Sequence, residues 1–384
     1  MLNNSNISIS FWEQTTFLKQ VDYLIIGSGI VGLNAAIHLK ELAPKSNVLL
    51  LERAAIPQGA STKNAGFACF GSPTELLEDL QSHSEAEVWS LVEQRWRGLQ
   101  KMRSKIGDQA IDYQYYNGYE LFRENEQSIF ERCLDKLPEF NHAFKELTGE
   151  GEAFRLRNER IDAFRFQHIS NLIESQLEGQ LHPAKMIQAL QQLAKDTGVQ
   201  MLYGVTVESI EKEKSYVEVH CENGWKFKSS KVLLTVNGFA KRLLPELSLQ
   251  PARNQVLVTK PIVKLAFKGC FHYDRGYYYF RNIGNRILLG GGRNLTPLEE
   301  QTDQFGHTTK IQNALLELLE NVILPDQKFE IEQWWSGILG VGKQKKPIVE
   351  MIEPNLGIAV RLGGMGVAIG TQVGESAAEM LVRG

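Results

Sequence analysis

The sequence predicts an α/β protein in which a helix-covered parallel sheet is joined to a second, α+β unit holding a mostly antiparallel sheet. Three observations carry that prediction. The first 52 residues read strand, glycine turn, helix, strand; residues 216–293 are rich in alternating strand patterns; and the chain closes with a strand, a glycine cluster and a helix. Composition permits it, because 384 residues with 43% hydrophobic and 23% charged content suffice for two domains and lie far from the disordered regime.

Residues 22–27 (DYLIIG) form a short apolar run ending in glycine, and Ile30, Leu33, Ala36, Ile37 and Leu39 then recur at helical spacing. Residues 48–52 (VLLLE) are continuously apolar, as a parallel strand covered on both faces should be. From 73 to 112 the pattern turns helical and amphipathic, with Leu76, Leu77, Leu80, Val88, Leu91, Val92, Leu99 and Met102 as its stripe. Helices are also expected over 124–147 and 183–197, the latter opened by Pro183 and closed by Gly198, with a mixed segment at 153–181 between them. A strand follows in VQMLYGVTVESIE. Asn223-Gly224 joins YVEVHCE to WKFKSSKVLLTV as a hairpin, since that dipeptide tolerates two positive φ angles. Residues 253–293 are β-rich, a helix is expected near 308–321, and GIAV followed by a helix with Val373, Ala377, Met380 and Leu381 ends the chain.

Several classes of function are disfavoured. A formal net charge of -3 provides no concentrated positive field for nucleic acid. Cys69, Cys133, Cys221 and Cys270 show no C-x-x-C spacing, and none of the eight histidines falls in H-x-x-x-H or H-x-E spacing, so no metal is expected. No G-x-S-x-G nucleophile motif occurs. The first twenty residues lack a secretory pattern, and no apolar run approaches the roughly 20 residues that cross a bilayer, so a cytoplasmic location without a transmembrane segment is expected.

Gly27, Gly29 and Gly32 form G-x-G-x-x-G between strand and helix, and Glu52 ends the next strand. This is the context of a Rossmann-like dinucleotide site. Gly27 permits the tight turn, Gly29 lets backbone N–H groups approach a pyrophosphate at the helix N-terminus, Gly32 allows close packing, and Glu52 accepts from a ribose hydroxyl. The fingerprint alone fits FAD and NAD equally.

The next residues separate them. Residues 59–66, GASTKNAG, are similar to the second flavin-binding segment of the D-amino-acid oxidase, glycine oxidase and sarcosine oxidase family. LHPAKMIQAL followed by GVTVESI resembles that family's helix and adenine-contacting strand, and RLGGMGVAIGTQVGESAAEML resembles its C-terminal flavin segment. The resemblance spans most of the chain, strongest at the two ends and weakest between residues 73 and 180. It implies a fold like that of p-hydroxybenzoate hydroxylase, with a FAD-binding domain at 1–75, 180–250 and 335–384 and a substrate domain at 76–179 and 251–334. The residues it implies around FAD are Gly27, Ser28, Gly29, Ile30, Val31, Gly32, Glu52, Arg53, Ala60, Ser61, Thr62, Asn64, Ala65, Gly66, Val207, Asn237, Gly238, Gly337, Gly363, Gly364, Met365, Gly366 and Val367. The last glycines precede a helix whose positive end would face the flavin pyrimidine ring. Sarcosine oxidases carry a flavin-linked cysteine near the segment corresponding to Trp335-Ser336-Gly337; none stands here, and residues 61–66 lack histidine, so FAD is expected to be non-covalent.

On the substrate side, alternation in GYYYFR places Tyr277, Tyr279 and Arg281 on one face and Tyr278 and Phe280 on the other. An arginine beside tyrosine hydroxyls suits a bidentate grip on a carboxylate. Two departures stand against the usual α-amino-acid grip. Gly337-Ile338-Leu339-Gly340 replaces a glycine-x-arginine-proline stretch, and Ala368 stands where sarcosine oxidases have lysine. Either Arg281 or another cation such as Lys343 substitutes, or the substrate lacks a carboxylate. The resemblance implies oxidation of an amine or amino-acid C–N bond by hydride transfer to flavin N5, giving an imine that water hydrolyses, with Tyr279 and Arg281 orienting the substrate. Flavin-dependent oxidation of a 2-hydroxy acid and a non-catalytic FAD-binding role are the alternatives, and the electron acceptor, oxygen or quinone, is not specified by the sequence.

Overall fold

The computed structural model describes residues 8–383; residues 1–7 and 384, included in the expected domain division, lie outside the described residues. Its first sheet has Val21–Ile26 at the centre, parallel to Lys226–Leu234 on one side and Val48–Glu52 on the other. Gln200–Tyr203 extends it beyond Val48–Glu52, and Leu356–Val360 followed by the antiparallel edge Ile348–Glu353 extends it beyond Lys226–Leu234. The apolar runs are buried because both faces are covered. Ile25 and Leu50 pack into a core with Leu33, Ile37, Leu190 and Leu381 from helices, while Leu24, Ile26, Leu49 and Leu51 pack against Val217, Val219 and Phe227. Those last residues belong to the expected hairpin, in which Val217–Cys221 runs antiparallel to Lys226–Leu234 and Gly224 has φ +84°.

The second sheet runs in the order Ile331–Val341, Gln250–Thr259, Arg286–Gly291, Tyr278–Ile283, Cys270–Tyr273, Gly118–Phe122, Asn171–Ser175, Phe154–Leu156. Only Cys270–Tyr273 with Gly118–Phe122 is parallel. Tyr119, Leu121, Phe271, Phe280 and Leu289 face one side, where Ile311 and Leu315 of the helix Thr309–Leu318 cover them. The opposite side faces the first sheet's glycine turns through Ala65, Phe67 and Trp335.

The helical region at 73–112 is two helices, Pro73–Ser82 and Glu85–Ile106, because Ser84 forms a capping box with Glu87 and restarts the turn. Two elements cross the expected domain borders. Ile331–Val341 is one 11-residue strand paired with Gln250–Thr259 from end to end, so residues 335–341 belong to the second sheet. Glu85–Ile106, expected in the substrate domain, contributes Leu99 and Met102 to the core of the first sheet's helices. Gly98 allows this approach, since a Cβ there would lie 2.3 Å from the Ala368 carbonyl of the last helix. Tyr277 is also displaced: positive φ at Asp274, Arg275 and Gly276 ends the preceding strand in a turn, leaving Tyr277 outside Tyr278–Ile283 and 44% exposed.

Candidate cofactor cleft and substrate face

The cleft begins where Val21–Ile26 ends. Gly27 has φ +109°, a left-handed conformation that favours glycine. Gly29 caps the helix Ile30–Leu42, and a Cβ on it would lie 2.9 Å from Ser61 Oγ, which accepts from Ile30 N at 3.0 Å. A Cβ on Gly32 would lie 2.0 Å from the Gly27 carbonyl, so the helix can seat this close to the turn only with glycine there. Thr235 Oγ1 closes the turn from behind by donating to the Ile26 carbonyl at 2.8 Å.

Glu52 ends the neighbouring strand, 7% exposed, and accepts from Ser28 N at 3.1 Å and Ala54 N at 3.3 Å. Burial raises its pKa, and these backbone donors oppose the rise. Arg53 beside it lies 4.0 Å over the Phe239 ring, which Arg242 approaches at 5.2 Å.

The loop from Gly59 to Gly66 is built by its own side chains. Thr62 Oγ1 donates to the Pro57 carbonyl at 2.8 Å, Asn64 Nδ2 donates to the Ala60 and Ser61 carbonyls, and Gly66 N donates to Asn64 Oδ1 at 2.8 Å. On the opposite wall Asn237 Oδ1 accepts from Arg361 N at 3.0 Å, fixing the approach to Gly363 and Gly364, both at positive φ, and to the helix Gly366–Arg383.

Together these segments enclose an open, elongated cleft that runs from the Gly27–Val31 turn past Glu52 and Ala60–Asn64 to Gly364–Val367. Of the residues expected around FAD, Gly27, Gly29, Ile30, Val31, Glu52, Arg53, Ala60, Ser61, Asn64, Val207, Asn237, Gly364, Gly366 and Val367 line it. The others do not line it: Ala65 and Gly66 lead to the face bearing Tyr279 and Arg281, and the rest shape the surrounding backbone. Ser28 is fully buried, Gly32 and Thr62 hold the turns, Gly238 and Gly337 permit close packing against Leu339 and Lys63, and Gly363 and Met365 shape the entry to the last helix. Sequence reasoning missed Val205, Thr206, Thr235, Phe239, Arg242 and Leu339. Thr235 immediately precedes the noted Val236-Asn237-Gly238, but its hydrogen bond to residue 26 depends on parallel pairing across the chain.

The face expected to take the substrate lies on the second sheet beyond Gly66. Tyr279 packs with Ala65, Val256 and Leu288, with Phe67 at 5.8 Å ring to ring, and Trp335 Nε1 donates to the Lys63 carbonyl at 2.9 Å. Burial pushes the Tyr279 hydroxyl up to about 12, opposed by a hydrogen bond with Asn254. Arg281 is 6% exposed and its Nε has no hydrogen-bond partner. A Cβ on Gly66 would lie 3.0 Å from Arg281 Nη2, so the guanidinium sits against the end of the loop. Burial lowers its pKa, with Cys270 and Asp112 opposing. The structure therefore brings Tyr279 and Arg281 to one face and leaves Tyr277 off it.

Comparison with known proteins gives a consistent picture. A family model described as FAD dependent oxidoreductase matches residues 22–380. "Probable oxidoreductase OrdL" of Haemophilus influenzae is 22% identical over 382 residues, covering 96% of this chain and 84% of that protein. Among solved structures, L-proline dehydrogenase from P. horikoshii is similar with TM-score 0.74 and 18% identity, covering 95% of this chain and 94% of that one. Glycine oxidase from Bacillus cereus ATCC 14579 is similar with TM-score 0.74 and 18% identity, covering 94% and 95%.

Proposed function

The chain belongs to the FAD-dependent oxidoreductase family and takes FAD as its cofactor, and from that premise we propose that it oxidises the carbon–nitrogen bond of an amino acid or related amine at the face bearing Tyr279 and Arg281. The observation that supports this most is Arg281. A buried guanidinium with an unpartnered Nε is costly to leave so, and a substrate carboxylate would supply the missing partner. Lys343, the other cation considered, stands in an exposed turn and is the poorer anchor. The L-proline dehydrogenase and glycine oxidase with similar folds act, by name, on amino acids, which agrees with this reading.

The residues present fit the cofactor, because the glycine cradle at 27, 29 and 32 would be filled by any Cβ. Backbone N–H groups of Gly29 and Val31 would hold the pyrophosphate, Glu52 a ribose hydroxyl, Ala60–Asn64 the dinucleotide's middle, and Gly364–Val367 the ring. When bound, the flavin supplies the two-electron acceptor. Among the described residues no cysteine or histidine lines the cleft, so FAD would be held non-covalently.

The chain's own groups then have defined roles. Arg281 binds the carboxylate. Tyr279, whose hydroxyl stays protonated at neutral pH, orients the substrate as a hydrogen-bond donor and is unsuited to be a base. Phe67 and Trp335 wall the face with apolar surface and exclude water. The positive end of Gly366–Arg383 stabilises negative charge at its entry. The imine product hydrolyses in water to a carbonyl compound and ammonia or a free amine. Product analysis tests this: nitrogen released in step with carbonyl supports it, whereas carbonyl formed without nitrogen release, from a 2-hydroxy acid, overturns it.

A further inference from the structure

We infer that Cys69, Glu178 and His272 form a binding site for a divalent, borderline-soft metal ion of the zinc type. One ligand atom from each, a thiol sulfur, a carboxylate oxygen and an imidazole nitrogen, lie within 4.8 Å of one another. Glu178 is 1% exposed at its side chain, and its Oε2 is 4.0 Å from His272 Nε2, too long for a direct hydrogen bond. Glu178 Oε1 and His272 Nε2 both lack any hydrogen-bond partner. Two buried polar atoms left unsatisfied in one small volume mark a place where a partner belongs.

The fold builds this place deliberately. Cys69 follows the short strand Phe67–Ala68, Glu178 precedes Gly179–Gln180, which pairs with that strand, and His272 lies on Cys270–Tyr273 of the second sheet. Residue 118 on the adjacent strand has to be glycine, because a Cβ there would lie 1.9 Å from Glu178 Oε2. A thiolate, a carboxylate and a neutral imidazole carry two negative charges, which one divalent ion cancels, so the loaded site is neutral and tolerates burial. The mixed sulfur, nitrogen and oxygen set favours zinc over the oxygen-seeking magnesium and calcium, with a fourth tetrahedral position left for water.

The other three-residue group, Glu211, Glu218 and His220, differs in kind: it is exposed to half-buried, and Glu218 already lies near Lys226 and Lys228. The absence of metal spacing in the sequence does not bear on Cys69, Glu178 and His272, since these ligands come from three distant segments. His272 pairs with Tyr279 on the neighbouring strand, so both project from the same sheet face, and the Phe67 ring packs on both; an ion here would sit beside the Tyr279 wall on that face.

The test is to incubate the flavin-loaded protein with Zn2+, pass it through a desalting column, and measure retained zinc by elemental mass spectrometry. Roughly one zinc per chain is expected for the wild type and for His220→Gln, falling to background in Cys69→Ser and His272→Gln while flavin content is kept. X-ray absorption of the zinc-loaded wild type should show one sulfur neighbour at about 2.3 Å, a readout independent of how the variants fold. No zinc retained by the wild type, retention unchanged in both site variants, or a zinc shell without sulfur would overturn the assignment.

Discussion

Replacing Arg281 with methionine should move stability and activity in opposite directions. Arg281 is 6% exposed, so its interactions escape most solvent screening, and in the protein without substrate its Nε has no partner. An apolar side chain of similar length removes that desolvation cost, and Arg281→Met should raise stability by about 1–3 kcal/mol, a shift in Tm of a few degrees. With a carboxylated substrate the same change deletes one side of a buried charge pair, a loss of about 2–5 kcal/mol, or roughly 30- to 5,000-fold in kcat/KM. The assay compares the α-amino acid that the protein oxidises fastest with the amine left when its carboxylate is removed. The amino acid should lose the full factor, while the amine stays within a few-fold of wild type. Equal losses on both substrates, or a lower Tm, would refute the role given to Arg281.

Three further outcomes are expected. Gly32→Ala places a Cβ 2.0 Å from the Gly27 carbonyl, so the helix must leave the turn; the purified variant should carry less than about a tenth of the wild-type flavin, read from its visible absorbance, and full flavin content would contradict the packing argument. Glu52→Gln keeps an acceptor near Ser28 N and Ala54 N but loses the charge, so FAD binding to the apoprotein should weaken about tenfold in a fluorescence titration, and an unchanged Kd would sink the ribose role. Glu120 supplies a pH prediction: burial raises its pKa from 4.5 to about 7, although Thr74 and Ser72 hydrogen bonds oppose the rise. The folded form therefore holds a proton that the unfolded chain releases, so Glu120 should contribute a fall in stability of about 3 kcal/mol as pH rises from 4.5 through 7, its share levelling off above while Glu178, raised to about 8 by burial, extends the decline. Glu120→Gln should flatten that slope in denaturant melts, and an unaltered slope would assign it to other groups.

What the sequence made legible was local. The fingerprint Gly27, Gly29 and Gly32, with Glu52 ending the next strand, needs only one strand–helix–strand unit, and alternation alone put Tyr279 and Arg281 on a common face. The rest of the cleft depended on pairing across the chain. Thr235 reaches Ile26 only because Lys226–Leu234 runs parallel to Val21–Ile26, a register with no local signal. Three tyrosines in a row alternate well enough to suggest a strand through Tyr277, while the positive φ at Asp274, Arg275 and Gly276 that ends the strand there is carried in part by two non-glycine residues, with no local signal for it. The strand Ile331–Val341 runs through the expected border at 335 because Gly337 and Gly340 resemble loop glycines in sequence. They sit in a long strand, where a Cβ on Gly340 would lie 2.5 Å from Asn237 Oδ1.

The most direct test of the central claim is to mix the purified, flavin-loaded protein, without oxygen, with a panel of amino acids and amines and follow its visible spectrum. Oxidation at the face bearing Tyr279 and Arg281 predicts that at least one compound bleaches the yellow absorbance within the mixing and turnover time, and that Arg281→Met slows this for carboxylated members only. A spectrum that stays oxidised across the whole panel, or a protein that emerges colourless and takes up no added FAD, would contradict it.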